Sequence, residues 1–219
     1  MSASKIDARQ IQRAYDSWAP FYDLTFGLFA KRGRQAAVAA ADVAGARVLE
    51  VGVGTGISLP DYKNAAEIVG IDFSESMLEE AHKLVKDRRL SGKVSLCQMD
   101  AHHLAFKSGS FDVVVAMYVI TTVSDPEQCL DEMLRVLNGG GVIILKNNFA
   151  PETLWKILLA KAVAPICRMI GWDNTAFQMS RLEKWVDAHG LTMQRPVRVS
   201  NWVVEQFTTF RMVCIIKTT

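Results

Sequence analysis

Five short apolar runs dominate the middle of the chain: Ala46 to Val51, Ile68 to Ile71, Val94 to Met99, Phe111 to Met117 and Val142 to Leu145. They are rich in β-branched residues, the pattern of parallel strands covered on both faces. Between them the spacing predicts helices over Glu75 to Arg88, with Ser74 as N-cap, and over Pro126 to Leu137, with Asp125 ahead of a proline at the first helical position. Asn138 and the three glycines from Gly139 to Gly141 are expected to stop the second of these. A helix near Ser180 to Ala188, stopped by Gly190, precedes two extended runs, Thr192 to Ser200 and Phe207 to Thr218, expected to close the sheet as an antiparallel edge pair. Strands alternating with helices imply a doubly wound α/β sheet whose ligand lies at the C-terminal ends of the strands.

The flanks follow other patterns. In Ser4 to Trp18, residues Ile11, Ala14, Tyr15 and Trp18 fall on one helical face, while Lys5, Arg9 and Arg13 recur every four residues on another. Such an amphipathic helix suits a membrane interface, or a lid over the site with its aromatic face inward. From Thr153 to Trp172 the chain is apolar nearly all round, broken only by Lys156, Lys161, Pro165 and Arg168. A helix of that kind needs apolar neighbours, as part of a lid or groove or as a buried packing helix. No repeat, low-complexity segment or flexible linker divides the chain. The expected organisation is one domain over 1–219: an N-terminal amphipathic helix and lid over 1–44, a cofactor-binding core over 45–150, and the apolar helix, substrate-side elements and closing strands over 151–219.

With 219 residues, 50% of them hydrophobic, the chain can bury the core of one such domain. A net charge of only +2 argues against a large nucleic-acid footprint. The charge is unevenly spread, however, at +4 over residues 151–219 and −2 over 1–150. A basic C-terminal third could face anionic headgroups. Cys97, Cys129, Cys167 and Cys214 lie far apart with no paired spacing, so neither a metal site nor a disulfide framework is expected, and reduced packing cysteines in a cytoplasmic protein are. Met1 to Arg13 holds no apolar run of signal-peptide length, and Val113 to Val123 and Ile157 to Cys167 fall short of the roughly 20 residues that span a bilayer.

The candidate chemistry begins at Leu49 to Pro60, where Gly52, Gly54 and Gly56 follow the first strand and open a helix-like segment. Glycines let the backbone turn sharply and approach a ligand closely. In a dinucleotide turn, G-x-G-x-x-G, the third glycine would come one residue later. Glu50, two residues ahead of the first glycine, would oppose a pyrophosphate but suits a ligand bearing an ammonium and a sulfonium. That favours S-adenosylmethionine over NAD. Asp72 ends the second strand, where a carboxylate can take both hydroxyls of a ribose.

With these motifs placed, the chain from about Ala46 to Asn147 resembles the class I S-adenosylmethionine-dependent methyltransferases. The resemblance implies a Rossmann-like, seven-stranded, mostly parallel sheet with helices on both faces, beneath the N-terminal helical lid. It assigns Glu50, Gly52, Gly54 and Gly56 to the methionine part of the cofactor and Asp72 to the ribose. Asp100, with Ala101 beside it, is assigned to the adenine amino group, and Met117 and Tyr118 fall near the transferable methyl. Asp112 is expected to begin a strand or cap a neighbour. The segment from Tyr15 through Trp18, Tyr22 and Phe26, followed by Arg32 and Arg34, is similar to the N-terminal signature of bacterial phospholipid N-methyltransferases, which convert phosphatidylethanolamine to phosphatidylcholine. Quinone and other small-molecule methyltransferases carry a related Tyr-Asp pattern and remain the alternative.

A lipid substrate asks for attack by a neutral amine on a sulfonium methyl, leaving S-adenosylhomocysteine. An amine with an unperturbed pKa of about 10 must first lose a proton. Tyr15, Tyr22 and Tyr118 are the leading candidates to assist, with His102 and His103 behind them. Tyr15, Trp18 and Tyr22 could cage a methylated ammonium, and Arg32, Arg34, Arg181 and Arg211 are candidates for the lipid phosphate. The expected setting is cytoplasmic, peripheral to the inner face of the cell membrane with anionic lipids as possible contacts, and no protein partner is implied.

Overall fold

The computed structural model describes residues 31–149, 177–194 and 210–217. A seven-stranded sheet organises them, made of β1 (Arg47–Val51), β2 (Glu67–Asp72), β3 (Val94–Gln98), β4 (Phe111–Met117), β5 (Leu137–Asn148), β6 (Thr192–Gln194) and β7 (Phe210–Ile216). The strand order is β3-β2-β1-β4-β5-β7-β6. The first five strands run parallel, and β7 pairs antiparallel with both β5 and β6. The order reverses between β1 and β4, which leaves a crevice beyond their C-terminal ends.

Alternate residues of each strand feed two cores. On one face Leu49, Val51, Val114, Ala116, Ile143 and Leu145 pack with α3 (Pro126–Val136) and α4 (Met179–Ala188). Trp185 of α4 locks these two helices together by donating its indole N–H to Asp131 at 2.7 Å. On the other face Val48, Ile68, Val113, Val115 and Ile144 pack with α2 (Glu75–Asp87) and with α1, the helix over 31–41. Ala37, Val38 and Ala41 of α1 are almost wholly buried there.

Helix starts follow the sequence. Ser74 Oγ accepts from Met77 N at the head of α2, and Asp125 caps α3 through Gln128 N, with Pro126 opening the helix. Two boundaries depart from expectation. The glycine turn opens no α-helix: only one 3-10 turn, Leu59–Asp61, follows it. Asp42, at the end of α1, accepts the backbone N–H groups of Lys63, Asn64 and Ala65 and draws the chain straight into β2, so α1 covers this part of the sheet instead. At the other boundary α3 ends before Asn138 and the glycines, as expected, but the fifth strand does not wait for Val142 and takes these residues in. They lie inside β5, which starts at Leu137, and the Asn138 side-chain amide donates to Asp112. Asp112 also accepts Arg47 N at 2.8 Å, the structural role expected of it.

The edge pair forms as expected, with β6 and β7 in register from Thr192 opposite Ile216 to Gln194 opposite Cys214. Gly190 stops α4 at φ +61°. Among the described residues no helix is long and apolar enough to cross a membrane. The segments Ser4 to Trp18 and Thr153 to Trp172 lie outside the described residues, as do Tyr15, Trp18 and Tyr22.

Candidate active site

The crevice is built from the ends of β1, β2 and β4 and the turns that leave them. Gly52, Gly54 and Gly56 all take positive φ, at +69°, +57° and +76°. Gly52 has no alternative, since a methyl there would collide with Val119 as well as strain the backbone. At Gly54 a methyl would meet nothing within 4 Å, so the turn leaves open space beside its backbone for a ligand. Asp72 fixes this loop by accepting Gly54 N on Oδ2 at 2.8 Å and Ser74 N on Oδ1 at 2.9 Å. Burial raises the Asp72 pKa, against the lowering effect of these N–H donors. Vicinal hydroxyls need two acceptors, which the two oxygens of one carboxylate can supply.

Glu50 is 2% exposed. Ser58 Oγ donates to one of its oxygens at 2.5 Å and Tyr62 Oη to the other at 2.9 Å. Burial pushes its carboxyl up to about 7, against the stabilising effect of those hydroxyls and of the Arg34 charge. Tyr62 stays a neutral donor, because burial and the neighbouring carboxylate raise its own pKa well above the usual value. Neither Ser58 nor Tyr62 was picked out from the sequence, although both lie within twelve residues of Glu50.

Arg34 is another buried charge, 8% exposed on α1, and among the described residues its Nε has no hydrogen-bond partner. Its charge reaches both Glu50 and Tyr118. A buried N–H donor without a partner is costly unless a ligand brings an acceptor to it. A buried carboxylate and a buried guanidinium close enough for their charges to act on each other, with the Nε donor still open, fit the zwitterionic amino-acid end of S-adenosylmethionine. Glu50 would hold the ammonium and Arg34 the carboxylate, while Asp72 would hold the ribose. Phe73, directly after Asp72, is 51% exposed and offers a flat apolar face beside the ribose position, where a purine would lie. Its signal in the sequence was an apolar residue just past an acidic strand end.

Asp100 lies after β3, and its Oδ1 accepts both the backbone N–H of His102, at 2.9 Å, and the His102 ring Nδ1, at 2.6 Å. Burial pushes Asp100 up, but these bonds and the nearby histidines outweigh it and hold the carboxyl below its usual value. His102 Nε2 accepts the N–H of Asp125 at 3.3 Å, so Nδ1 carries the proton and the ring clasps two loops together. That leaves His102 poorly placed to take a proton from a substrate. Ala101 packs partly buried against the core beside Asp100.

At the end of β4, Met117 is 9% exposed and Tyr118 holds φ +65°, a strained conformation for a non-glycine residue. Tyr118 N donates to Lys146 O at 2.6 Å, and the Tyr118 hydroxyl and the Lys146 side chain both crowd Gly33 of α1. Burial pushes the Tyr118 phenol up to about 12 despite the Arg34 charge, so it stands here as a neutral hydrogen-bonding group. Among the expected phosphate ligands, Arg32 is exposed on α1 and Arg34 faces inward beside Glu50. Arg181 stands apart from them: Glu127 holds its guanidinium at 2.6 and 2.8 Å, and it lies 5.3 Å over the Phe177 ring. Arg211 is a β7 residue opposite Asn147, and its side chain lies outside the described residues.

Residues 49–145 match a family model described as a methyltransferase domain. A phosphatidylethanolamine N-methyltransferase of Cereibacter sphaeroides is 40% identical over 164 residues, covering 75% of this chain and 80% of that protein. A demethylmenaquinone methyltransferase of Clavibacter sepedonicus is 33% identical over 198 residues, covering 84% of this chain and 79% of that one. A solved S-adenosylmethionine-dependent methyltransferase of Thermotoga maritima superposes with a TM-score of 0.66 at 23% identity, covering 94% of this chain and 99% of its own, which establishes the fold.

Proposed function

The chain belongs to the S-adenosylmethionine-dependent methyltransferases, and from that premise we propose that it methylates the amine of phosphatidylethanolamine and of its partly methylated intermediates, yielding phosphatidylcholine at a membrane surface. The observation that carries the substrate is the 40% identity to a protein named for that reaction, over 80% of that protein's length. When bound, the cofactor supplies an electrophilic methyl on a sulfonium. Glu50 and Arg34 fix its amino-acid end, Asp72 its ribose and Asp100 its adenine edge. Tyr118 and Met117 border the place where the acceptor meets the methyl.

An ethanolamine amine reaches this place charged and must give up a proton. Tyr118, with its phenol at about 12, stays protonated near neutral pH and orients the acceptor instead of ionising. Transfer out of water lowers the amine's own pKa. The proton then passes to water, and alignment of nitrogen, methyl and sulfur supplies most of the rate. Tyr15 and Tyr22 belong to this reading as aromatic walls and proton-relay groups of the N-terminal lid, with Trp18 beside them. Arg32 and Arg211 are its candidates for the lipid phosphate. The protein is read as cytoplasmic and peripheral to the membrane, with anionic lipids as contacts and no nucleic-acid partner.

A second reading is C-methylation of a quinone precursor, favoured by the longer span, 84% of this chain, over which the demethylmenaquinone enzyme aligns. Mass spectrometry of lipids after incubation with cofactor and phosphatidylethanolamine vesicles, beside a parallel incubation with a reduced demethylmenaquinone, separates the two. Increments of one, two and three methyl groups on the phospholipid support the first reading. Methylation of the quinol with unmodified phospholipid would replace it by the second.

A further inference from the structure

Asn147 is a buried polar side chain that the assignments above leave unused. It is 0% exposed, and among the described residues neither its Oδ1 nor its Nδ2 has a hydrogen-bond partner. A buried amide with both ends unsatisfied keeps its whole desolvation penalty, which a leucine of similar volume would avoid. Its place in the fold is specific. Lys146 pairs with Met117, the last residue of β4, so Asn147 lies one step beyond, level with the strained turn at Tyr118. By strand alternation it shares the face of Ile143 and Leu145. It thus stands at the C-terminal ends of β4 and β5, where a doubly wound sheet presents its residues to ligands.

We propose that Asn147 positions the acceptor, its Oδ1 taking an N–H of the substrate ammonium and its Nδ2 donating to an oxygen of the same headgroup. The inference rests on the phospholipid reading above. An amide offers both an acceptor and a donor, and so matches a zwitterion carrying an ammonium and a phosphodiester. A single N–H acceptor also sorts substrate from product. Primary and secondary amines keep an N–H for Oδ1 after losing the proton that frees the lone pair, so they are held in the reacting form, whereas the tertiary amine is held only as its ammonium. The quaternary product has none, leaves Oδ1 unsatisfied again and departs.

Asn147→Leu and Asn147→Thr test this in the full chain, with the melting temperature, cofactor affinity by calorimetry and transfer to phosphatidylethanolamine vesicles as readouts. Asn147→Leu is expected to melt at the same or a higher temperature and to bind cofactor as before. Its kcat/KM should fall about 10- to 100-fold, the loss of a hydrogen bond to a charged group. Asn147→Thr keeps a hydroxyl acceptor and should recover part of that activity. In the wild type, phosphatidylcholine should inhibit less than the dimethylated intermediate competes, and in Asn147→Leu this difference should vanish. A lower melting temperature in Asn147→Leu, or transfer equal to wild type, overturns the assignment of Asn147. Wild-type protein that methylates no ethanolamine lipid overturns the phospholipid reading and the inference with it.

Discussion

At the scale of single residues, the site is a set of buried groups whose charges await a ligand, and pH should expose this. Glu50 has its carboxyl raised from 4.5 to about 7. Below about 4.5 it is protonated in both the folded and the unfolded chain. Between there and about 7 the unfolded chain has released the proton while the folded one keeps it, so stability falls as pH rises through this window and levels off above it. The full effect is on the order of 3 kcal/mol. Glu50→Gln should flatten much of that slope in denaturant titrations without cofactor, with the raised Asp72 contributing a remainder of the same sign. A slope unchanged by the substitution would place the titration elsewhere. Asp72→Ala removes the acceptor of Gly54 N and Ser74 N together with the expected ribose contacts. Calorimetry should show cofactor binding weakened by about 1.5 to 3 kcal/mol, and unimpaired binding would refute the mapping. Glu50, Asp72 and the glycines were legible in the sequence because spacing alone marks them. Asn147 and Tyr62 were not, and Arg34 was read as a phosphate ligand and not as a partner of Glu50, because what distinguishes them is burial, and burial follows from how α1 and β5 meet the rest of the fold.

Among the elements, strand positions were readable from β-branched runs and helix starts from their caps. The two errors have a common cause. The glycine turn was expected to open a helix, and the fifth strand to begin only at Val142, because glycine was read from local propensity. Tertiary pairing overrode both: the nest at Asp42 shortens the β1 to β2 connection, and Asp112 anchors Asn138 inside β5. The helix α1 then takes over a face of the sheet and brings Gly33 against the site. A methyl on Gly33 would come within 2.6 Å of Lys146 Cε and 2.9 Å of the Tyr118 hydroxyl. Both are the ends of flexible side chains. Gly33→Ala, in a helix, should therefore leave stability within about 1 kcal/mol of wild type, since the gain in propensity offsets the crowding. Methyl transfer should fall because Tyr118 and Lys146 are displaced. Comparing melting temperature with kcat checks this, and a stable variant with undiminished kcat would remove these two side chains from the acceptor site.

For the whole molecule, the question is how a protein with a net charge of +2 would find a lipid surface. Overall attraction is too weak, so on the phospholipid reading the attraction would be local. The basic residues with a matching apolar face lie in the N-terminal segment, where Lys5, Arg9 and Arg13 alternate with Ile11, Ala14, Tyr15 and Trp18. Each basic side chain at an anionic surface contributes about 1 kcal/mol, falling off within a Debye length. The cofactor residues Glu50, Asp72 and Asp100 belong to a different part of the chain, within the matched methyltransferase domain. Membrane attachment and cofactor binding should therefore separate cleanly. Replacing Lys5, Arg9 and Arg13 together by Gln should weaken partition onto vesicles containing phosphatidylglycerol by about 100-fold at low salt, the sum of three such contributions. Cofactor affinity measured without vesicles should not move. Raising the salt should weaken the wild type toward the level of the variant, because screening and substitution remove the same attraction. Partition that ignores both salt and substitution would mean that apolar burial alone holds the protein to the bilayer. The apolar segment from Thr153 to Trp172 would then become the next target, with Leu158 and Ile166 changed to Ser in the same flotation assay.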